Sequence, residues 1–239
     1  MDKISKKDLE SLNKLEKQIL VESIFSRISE KYDFMNDIMS LGLHRIWKEE
    51  FVNLIKFYSN CSLLDLASGS GDLIKLIKKR NNCFCVSYDS NEEMIRQAQK
   101  KLRCEKVSFI NGRAENIPFK DKSFDIVTVS FGLRNFSNLE ESLKEIRRVM
   151  KTRRKFYCLE FSEINNVFFK KIFNFYSKIL PFYGDCFLNN KEAYQYLVES
   201  IRQFPNQIEF TKKLIKAGFA NIEVIDILGG LASIHISET

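Results

Sequence analysis

Residues 62–73 of the chain read SLLDLASGSGDL. An apolar run carrying one carboxylate, Asp65, leads into a glycine turn and then into a helical pattern, which predicts a strand, a turn and a helix in that order. Gly69 and Gly71 allow positive φ angles and close approach of a ligand to the backbone. We therefore expect the first strand of an α/β sheet, with a ligand bound at the turn where that strand ends.

The glycine spacing also indicates which kind of ligand the turn holds. A dinucleotide-binding turn has a third glycine, but this position is Ile74, which disfavours NAD. Asp65 suits a ligand with cationic ammonium and sulfonium groups better than one with phosphates. The residues predict S-adenosylmethionine as the cofactor, contacted by Asp65, Gly69 and Gly71.

Two later strand ends carry further candidate cofactor residues. Asp89 ends the second predicted strand, where a carboxylate accepts both hydroxyls of a ribose in nucleotide-binding folds. Alternatively, Asp89 caps the next helix, because it directly precedes Ser90. After the third strand, Arg113 and Ala114 are expected to flank the adenine of the cofactor. Ser130 ends the fourth strand and is a further candidate cofactor contact.

The alternation of short apolar runs with helical patterns after Cys61 is typical of parallel strands joined by crossover helices. Helix starts are predicted at Ser90 and Ser137, each followed three residues later by a glutamate. The connection between the last two strands, which contains Gly229 and Gly230, is too short for a parallel crossover, so the final strand is antiparallel to its neighbour. The predicted strands are 61–66, 83–89, 106–110, 124–131, 155–161, 222–228 and 232–237. Together they predict an α/β chain with the Rossmann-like fold of class I SAM-dependent methyltransferases, a seven-stranded sheet with an antiparallel terminal strand.

Two regions fall outside this alternation. Residues 1–57 form a predicted helical N-terminal segment, and residues 162–206 form an insertion within the methyltransferase domain, 58–239. Ligands bind beyond the carboxyl ends of the strands in such sheets. Both regions are therefore expected to build the substrate pocket and its lid.

Composition excludes several classes of protein. The chain has 239 residues, 44% of them apolar, and 21 Phe, which excludes intrinsic disorder. No apolar run approaches the ~20 residues of a membrane-spanning helix, and the charged N-terminus does not resemble a signal peptide, so we expect a cytoplasmic protein. Six scattered cysteines without a CxxC pair and only two histidines predict no metal site. The net charge of +7 is spread along the chain and does not predict a nucleic-acid partner.

Longer motifs carry a resemblance to a known family. Residues 25–48, FSRISEKYDFMNDIMSLGLHRIWK, resemble the N-terminal signature of the ubiquinone/menaquinone biosynthesis C-methyltransferases, the UbiE/MenG family. The segment SFGLRN at 130–135 looks like the second signature of that family. Further matches are EFS at 160–162, LP at 180–181 with Gly184, YQYLVESI at 194–201, FP at 204–205 and AGF at 217–219.

The resemblance runs from about residue 20 to residue 237 and implies an activity. A member of this family transfers a methyl group from S-adenosylmethionine to a ring carbon of a polyprenylated benzoquinol, a demethylmenaquinol, or both. When the cofactor contacts of the family are transferred to the matching positions of this chain, the resemblance implies contacts at Ser70, Asp89, Ala114 and Ser130. Arg113 departs from the pattern, because the family commonly has Asn or Asp there. The segment 151–154, KTRR, replaces the usual Lys-Pro-Gly-Gly turn.

Methyl transfer to carbon requires an electron-rich ring, so the acceptor must be the reduced quinol. Loss of a phenolic proton makes the ortho carbon nucleophilic. We expect Arg134 to stabilise the phenolate and Asn135 to hold the quinol oxygen or a water. Tyr32, Asp33 and His44 are candidates for proton handling. The alternatives are a helix-terminus ion pair for Arg134 and a packing role for His44.

The implied partner is a polyprenylated quinol, and other partners stay open. Residues 168–180 alternate aromatic and lysine side chains at helical spacing, which fits an isoprenoid tail channel, an anionic membrane surface or simply core packing. A homodimer or a quinone-biosynthesis complex is a further expectation. Two alternative functions remain: an RNA methyltransferase, although its Pro-Pro-aromatic and Pro-Cys motifs are missing, and a non-catalytic scaffold.

Overall fold

The computed structural model describes residues 13–103, 105–164, 171 and 191–239. Seven strands in these residues form one sheet of order β3-β2-β1-β4-β5-β7-β6. The strands are β1 (Ser62–Leu66), β2 (Phe84–Asp89), β3 (Val107–Asn111), β4 (Phe124–Ser130), β5 (Met150–Phe161), β6 (Ala220–Ile227) and β7 (Ala232–Glu238). The first five are parallel, and β7 is antiparallel to both of its neighbours. The predicted hairpin with its antiparallel final strand is confirmed, and that strand lies between β5 and β6.

Helices cover both faces of this sheet. They are α1 (Lys14–Ile28), α2 (Tyr32–Ser40), α3 (Leu43–Leu54), α4 (Asp72–Arg80), α5 (Glu92–Lys101), α6 (Leu139–Val149), α7 (Lys191–Gln203) and α8 (Gln207–Lys216). Successive strand residues point to opposite faces, so Leu63 packs with α3 and α4 while Leu64 packs with α6 and α8. This alternation explains why the buried strands read as continuous apolar runs.

The N-terminal segment and the insertion helix share a separate apolar cluster. Val21 and Ile24 of α1 and Met35 of α2 pack with Tyr194 and Val198 of α7. Helices far apart in sequence therefore meet beside the sheet. The predicted helix 168–180, apart from residue 171, and the motif matches at 180–184 lie outside the described residues.

Two predicted helix starts were wrong by one residue. The N-cap of α5 is Asn91, whose Oδ1 accepts a hydrogen bond from the Met94 amide at 3.0 Å. Similarly, Asn138 caps α6 by accepting from the Glu141 amide at 3.3 Å. Asn and Ser are comparably good caps, so an adjacent Ser-Asn pair does not reveal from sequence which residue caps.

Strand β5 begins five residues before its predicted start and includes the basic segment 151–154. Arg153 takes a positive φ of 58° there. The Lys151 Nζ and Arg154 Nε atoms donate to Asp125 at 2.6 and 3.0 Å. Burial opposes ionisation of Asp125, but hydrogen bonds from Lys151, Ser62 and Arg154 lower its pKa to about 2. The segment that replaces the family's usual turn is thus held to the sheet by ion pairs.

No helix of the described part of the chain is long and apolar enough to cross a membrane.

Acid should destabilise the protein through His235, which lies in β7 edge-on to Phe210 at 4.8 Å. Burial lowers the pKa of His235 from 6.5 to about 4. The unfolded chain therefore binds a proton between pH 6.5 and 4 that the folded chain does not, and stability falls as pH falls through this window. In urea unfolding, the free energy of unfolding of the wild type should fall by roughly 2–3 kcal/mol more than that of His235→Leu between pH 7 and pH 4. Equal losses in both proteins would contradict this assignment, since all other titrating groups are shared.

Candidate active site

The carboxyl ends of β1, β2 and β4 face α1 across an open space. Two adjoining hollows there hold about 440 and 510 Å³ of space outside the protein atoms, open solvent included. Ala67, Asp89 and Asn135 line both hollows from the sheet side, and Val21 and Glu22 line both from α1. We call this space the sheet-edge cavity.

The glycine turn after β1 forms one wall of the sheet-edge cavity. Gly69 and Gly71 take positive φ angles of 55° and 81°, as predicted. A Cβ atom at Gly71 would lie 2.7 Å from the Leu102 side chain, and one at Gly69 would lie 3.4 Å from the Tyr32 ring. Both glycines are therefore required by conformation, and Gly71 also by space.

Asp89 lines the cavity at the end of β2. Its two carboxylate oxygens accept hydrogen bonds from the backbone amides of Gly69 and Asn91, both at 2.9 Å. Burial raises the pKa of Asp89. Because the helix is capped by Asn91, the alternative in which Asp89 caps it is wrong.

Asp65 lies behind the glycine turn and does not line the cavity. It is 1% exposed, and burial raises its pKa to about 7 although the Thr128 hydroxyl donates to Oδ1 at 2.7 Å. Its Oδ2 has no hydrogen-bond partner among the described residues. A buried carboxylate oxygen without a donor favours a cationic or hydrogen-bond-donating ligand at this place.

Ser70 connects the glycine turn to the N-terminal segment. Its hydroxyl donates to Asp33 Oδ1 at 2.6 Å. Lys101 Nζ donates to Asp33 and Asp72, each at 2.5 Å, and to Ser70 at 2.9 Å. Burial opposes ionisation of Asp72, but Lys48 and Lys101 lower its pKa to about 2. These contacts place Asp33 in an ion-pair network and not on the cavity wall.

The predicted adenine end of the cavity is lined by Arg113 and Ala114. Arg113 Nη2 donates to the Ser137 hydroxyl at 3.0 Å, and its Nε lies 3.8 Å from Glu115. Ser130 lies outside the cavity wall, with a buried hydroxyl that has no hydrogen-bond partner among the described residues. The structure therefore brings Arg113, Ala114, Gly69 and Asp89 together, and places Ser130 beyond them.

Arg134 forms a buried ion pair. Its Nη1 donates to Glu160 at 2.6 Å and to the Phe131 carbonyl at 2.7 Å. The guanidinium carbon lies 5.3 Å from the Phe161 ring centroid. The Arg134 and Glu160 side chains are only 5% and 2% exposed, so the guanidinium is held in one place away from bulk water.

Two phenols flank this guanidinium. Burial raises the pKa values of Tyr32 and Tyr196, while the positive charge of Arg134 lowers both. The Tyr196 hydroxyl also donates to Asn135 Oδ1 at 2.9 Å. The charge of Arg134 thus offsets only part of the effect of burial on the two phenols, and Tyr32 and Asn135 line the cavity.

His44 lies apart from this group. Its Nδ1 pairs with the Ser40 hydroxyl at 2.7 Å, and its Nε2 lies 3.8 Å from Asp37. Burial and the neighbouring Lys48 lower the pKa of His44 to about 4, so it is neutral at pH 7 and a weak base. It is not among the residues that line the cavity.

Comparison with known proteins places these features in a family. A model described as the ubiE/COQ5 methyltransferase family matches residues 12–239. The chain belongs to this family. The match covers α1, the glycine turn, Arg134 and Glu160, so the whole described site lies within it.

Relatives and solved structures agree with that membership. The ubiquinone/menaquinone biosynthesis C-methyltransferase UbiE of Rickettsia massiliae is 44% identical over 241 residues, with 97% of each chain covered. The UbiE protein of Rickettsia felis is 46% identical over 229 residues, with 92% of each covered. A SAM-dependent methyltransferase structure from Thermotoga maritima superposes with a TM-score of 0.68 at 17% identity, covering 91% of this chain and 99% of that one. Another, from Aquifex aeolicus, gives a TM-score of 0.53 at 16% identity, covering 74% and 81%. The class I methyltransferase fold predicted from the sequence is confirmed.

Sequence reasoning missed several polar residues of this ubiE/COQ5-family site. Gln18 and Glu22 of α1 line the cavity, and Lys101, Glu160 and Tyr196 hold the predicted residues in place. The spacing of Val21, Ile24 and Ile28 signals a buried helical face, but no local pattern reveals which polar neighbours turn toward a ligand.

Proposed function

We propose that this chain is an S-adenosylmethionine-dependent C-methyltransferase of quinone biosynthesis. Its acceptor is a polyprenylated benzoquinol, a demethylmenaquinol, or both. The observation that carries this proposal is the family match over residues 12–239, which includes every side chain of the site. Nothing in the site favours the RNA methyltransferase or the non-catalytic scaffold.

The residues of the site fit S-adenosylmethionine, which when bound supplies an electrophilic methyl group on a sulfonium. In this proposal Asp89 accepts the ribose hydroxyls, and the turn of Gly69, Ser70 and Gly71 approaches the amino-acid end. Arg113 and Ala114 flank the base. Gly69 supports the fit, because it lines the cavity with a positive φ and without a side chain, so that a ligand can approach its backbone closely.

Arg134 is proposed to stabilise the phenolate of the bound quinol. Its positive charge acts against the burial that raises the pKa values of Tyr32 and Tyr196, and it would act in the same direction on a quinol hydroxyl bound nearby. Glu160 fixes the guanidinium, and Asn135 is placed to hold the quinol oxygen or a water. Tyr32 is the better-placed candidate for passing the proton, because it lines the cavity and His44 does not.

The N-terminal segment 1–57 and the insertion 162–206 are proposed to enclose the substrate. A hollow of about 700 Å³, open solvent included, is lined by Arg134 together with Leu133, Tyr196, Phe204 and Pro205. The apolar residues of this mixed lining suit the first units of an isoprenoid tail. We further propose a cytoplasmic enzyme that contacts the membrane surface through residues 168–180, and that works as a homodimer or within a quinone-biosynthesis complex.

The decisive experiment is methyl transfer by the purified chain. Given S-adenosylmethionine and a short-chain demethylated benzoquinol or naphthoquinol kept reduced under anaerobic conditions, it should form the product one methylene heavier, detected by mass spectrometry. The oxidised quinones should give no product, because their rings are electrophilic. Tight cofactor binding without any product from either reduced acceptor would refute the proposed reaction.

Cofactor binding should release a proton from Asp65. With a pKa of about 7, this carboxyl is largely protonated at pH 6, and the ammonium of a cofactor bound at the glycine turn that follows Asp65 favours the charged form. The affinity for the cofactor should therefore increase with pH below pH 7, by at most about tenfold per pH unit, and should become constant above pH 7. Calorimetry at pH 6 in two buffers of different ionisation enthalpy measures the released proton. Asp65→Asn should abolish most of that release, and an unchanged release would exclude Asp65 as its source.

A further inference from the structure

The proposed adenine end of the sheet-edge cavity has a guanidinium on its wall. An adenine presents an exocyclic amino group, and a site that recognises it needs a hydrogen-bond acceptor there. Arg113 lines this end of the cavity, and a guanidinium only donates hydrogen bonds. Another group must accept from the amino group if the base is to be recognised.

The nearby acceptors on the sheet side are already engaged. Glu115 Oε1 accepts from the Ser137 amide and hydroxyl at 2.9 and 2.7 Å and from the Asn138 amide at 3.0 Å. The backbone carbonyl of Arg113 accepts from the Tyr88 hydroxyl at 2.9 Å. Asn135 Oδ1 accepts from Tyr196. Each of these oxygens would have to share its lone pairs between the protein donor it already holds and the adenine amino group.

Glu22 supplies a carboxylate on the opposite wall. It lines the same hollow as Arg113 and Ala114, and its Oε1 accepts from the Gln18 amide at 3.0 Å. A carboxylate has about four lone-pair sites, so this single bond leaves capacity for a ligand donor.

The position of Glu22 is fixed relative to the ribose-binding carboxylate. Asn91 Nδ2 donates to the Glu22 carbonyl at 3.1 Å and to the Ser26 hydroxyl at 2.8 Å, which holds α1 over the cavity. The backbone amide of the same Asn91 donates to Asp89. One residue therefore sets the distance between the helix that carries Glu22 and the end of β2.

From this arrangement we propose that Glu22 accepts a hydrogen bond from the adenine amino group and replaces the acceptor that Arg113 cannot provide. Helix α1 is then part of the cofactor site and sets its base specificity. The inference rests on the proposed use of S-adenosylmethionine.

The test compares two ligands by calorimetry on the full chain. One is S-adenosylhomocysteine, and the other is its analogue with hydrogen in place of the 6-amino group. The wild type should prefer the amino compound by about tenfold, the value of one lost hydrogen bond to a charged acceptor. Glu22→Ala should bind both ligands within twofold of each other, whereas Glu22→Gln, which keeps an acceptor oxygen, should retain part of the preference.

Two further variants separate base recognition from helix folding. Ile19→Ala, at an exposed position of α1, should leave the preference unchanged. Adding Arg113→Asn to Glu22→Ala places an acceptor at position 113 and should restore the preference. An undiminished preference in Glu22→Ala overturns the inference while the proposed function stands. A wild type that binds neither ligand overturns both.

Discussion

Asp89→Ala should weaken binding of S-adenosylmethionine by at least ~100-fold. The carboxylate is proposed to accept two ribose hydroxyls, and each hydrogen bond to a charged group contributes about 1.5–3 kcal/mol. The substitution also removes the acceptor for the Gly69 and Asn91 amides, so the turn and the anchor of α1 both loosen. Calorimetric titration of cofactor into the purified variant measures the loss.

Asp125→Asn is the matched control for this change. Asp125 is another buried carboxylate, and it accepts a hydrogen bond from the backbone amide of Ser62. It lies near the amino end of β4, whereas the sheet-edge cavity lies at the carboxyl ends of the strands. Its replacement should lower stability and leave cofactor affinity within about twofold. A 2′-deoxyribose cofactor analogue sharpens the test. The wild type should bind this analogue less tightly than the natural cofactor, whereas Asp89→Ala should bind the two equally. Affinity within fivefold of wild type in Asp89→Ala would remove the ribose role.

The elements that sequence predicted well are those defined by local pattern. Asp65 and Asp89 end apolar runs, and parallel strands place their carboxyl ends at one edge, so their proximity to the glycine turn follows from topology. The hairpin also followed, because Gly229 and Gly230 leave no room for a crossover. The insertion of β7 between β5 and β6 did not follow, since pairing order depends on contacts between distant segments.

The polar network around the cavity could not be read from the sequence for the same reason. Glu160 pairs with Arg134 across 26 residues, and Lys101 meets Asp33 across 68. Neither pair lies at a helical or strand repeat, and long charged side chains are ordinarily solvated. Glu160 and Lys101 hold their partners in place because the folded chain buries these ion pairs, and burial cannot be read from a local sequence pattern.

Replacing Arg134 should lower turnover by ~100-fold or more, the typical cost of removing a preorganised group that stabilises developing charge. A single Arg134→Gln change would leave Glu160 buried without its partner, which destabilises a protein by about 3–5 kcal/mol. The double variant Arg134→Gln/Glu160→Gln avoids that charge and keeps similar volume. Cofactor affinity in this variant should stay within about threefold of wild type, because Arg134 does not line the sheet-edge cavity.

The pH profile distinguishes charge stabilisation from a structural role. Without the guanidinium, the bound quinol ionises less readily, so its pKa moves toward that of a free phenol near 10. The activity deficit of the double variant should then shrink as pH rises from 7 to 9.5. Arg134→Lys keeps a cation but not the fixed guanidinium geometry. It should show an intermediate loss of activity and a smaller shift in the pKa of the bound quinol. A deficit of the same size at every pH would mean that the Arg134–Glu160 pair only maintains the fold around β5.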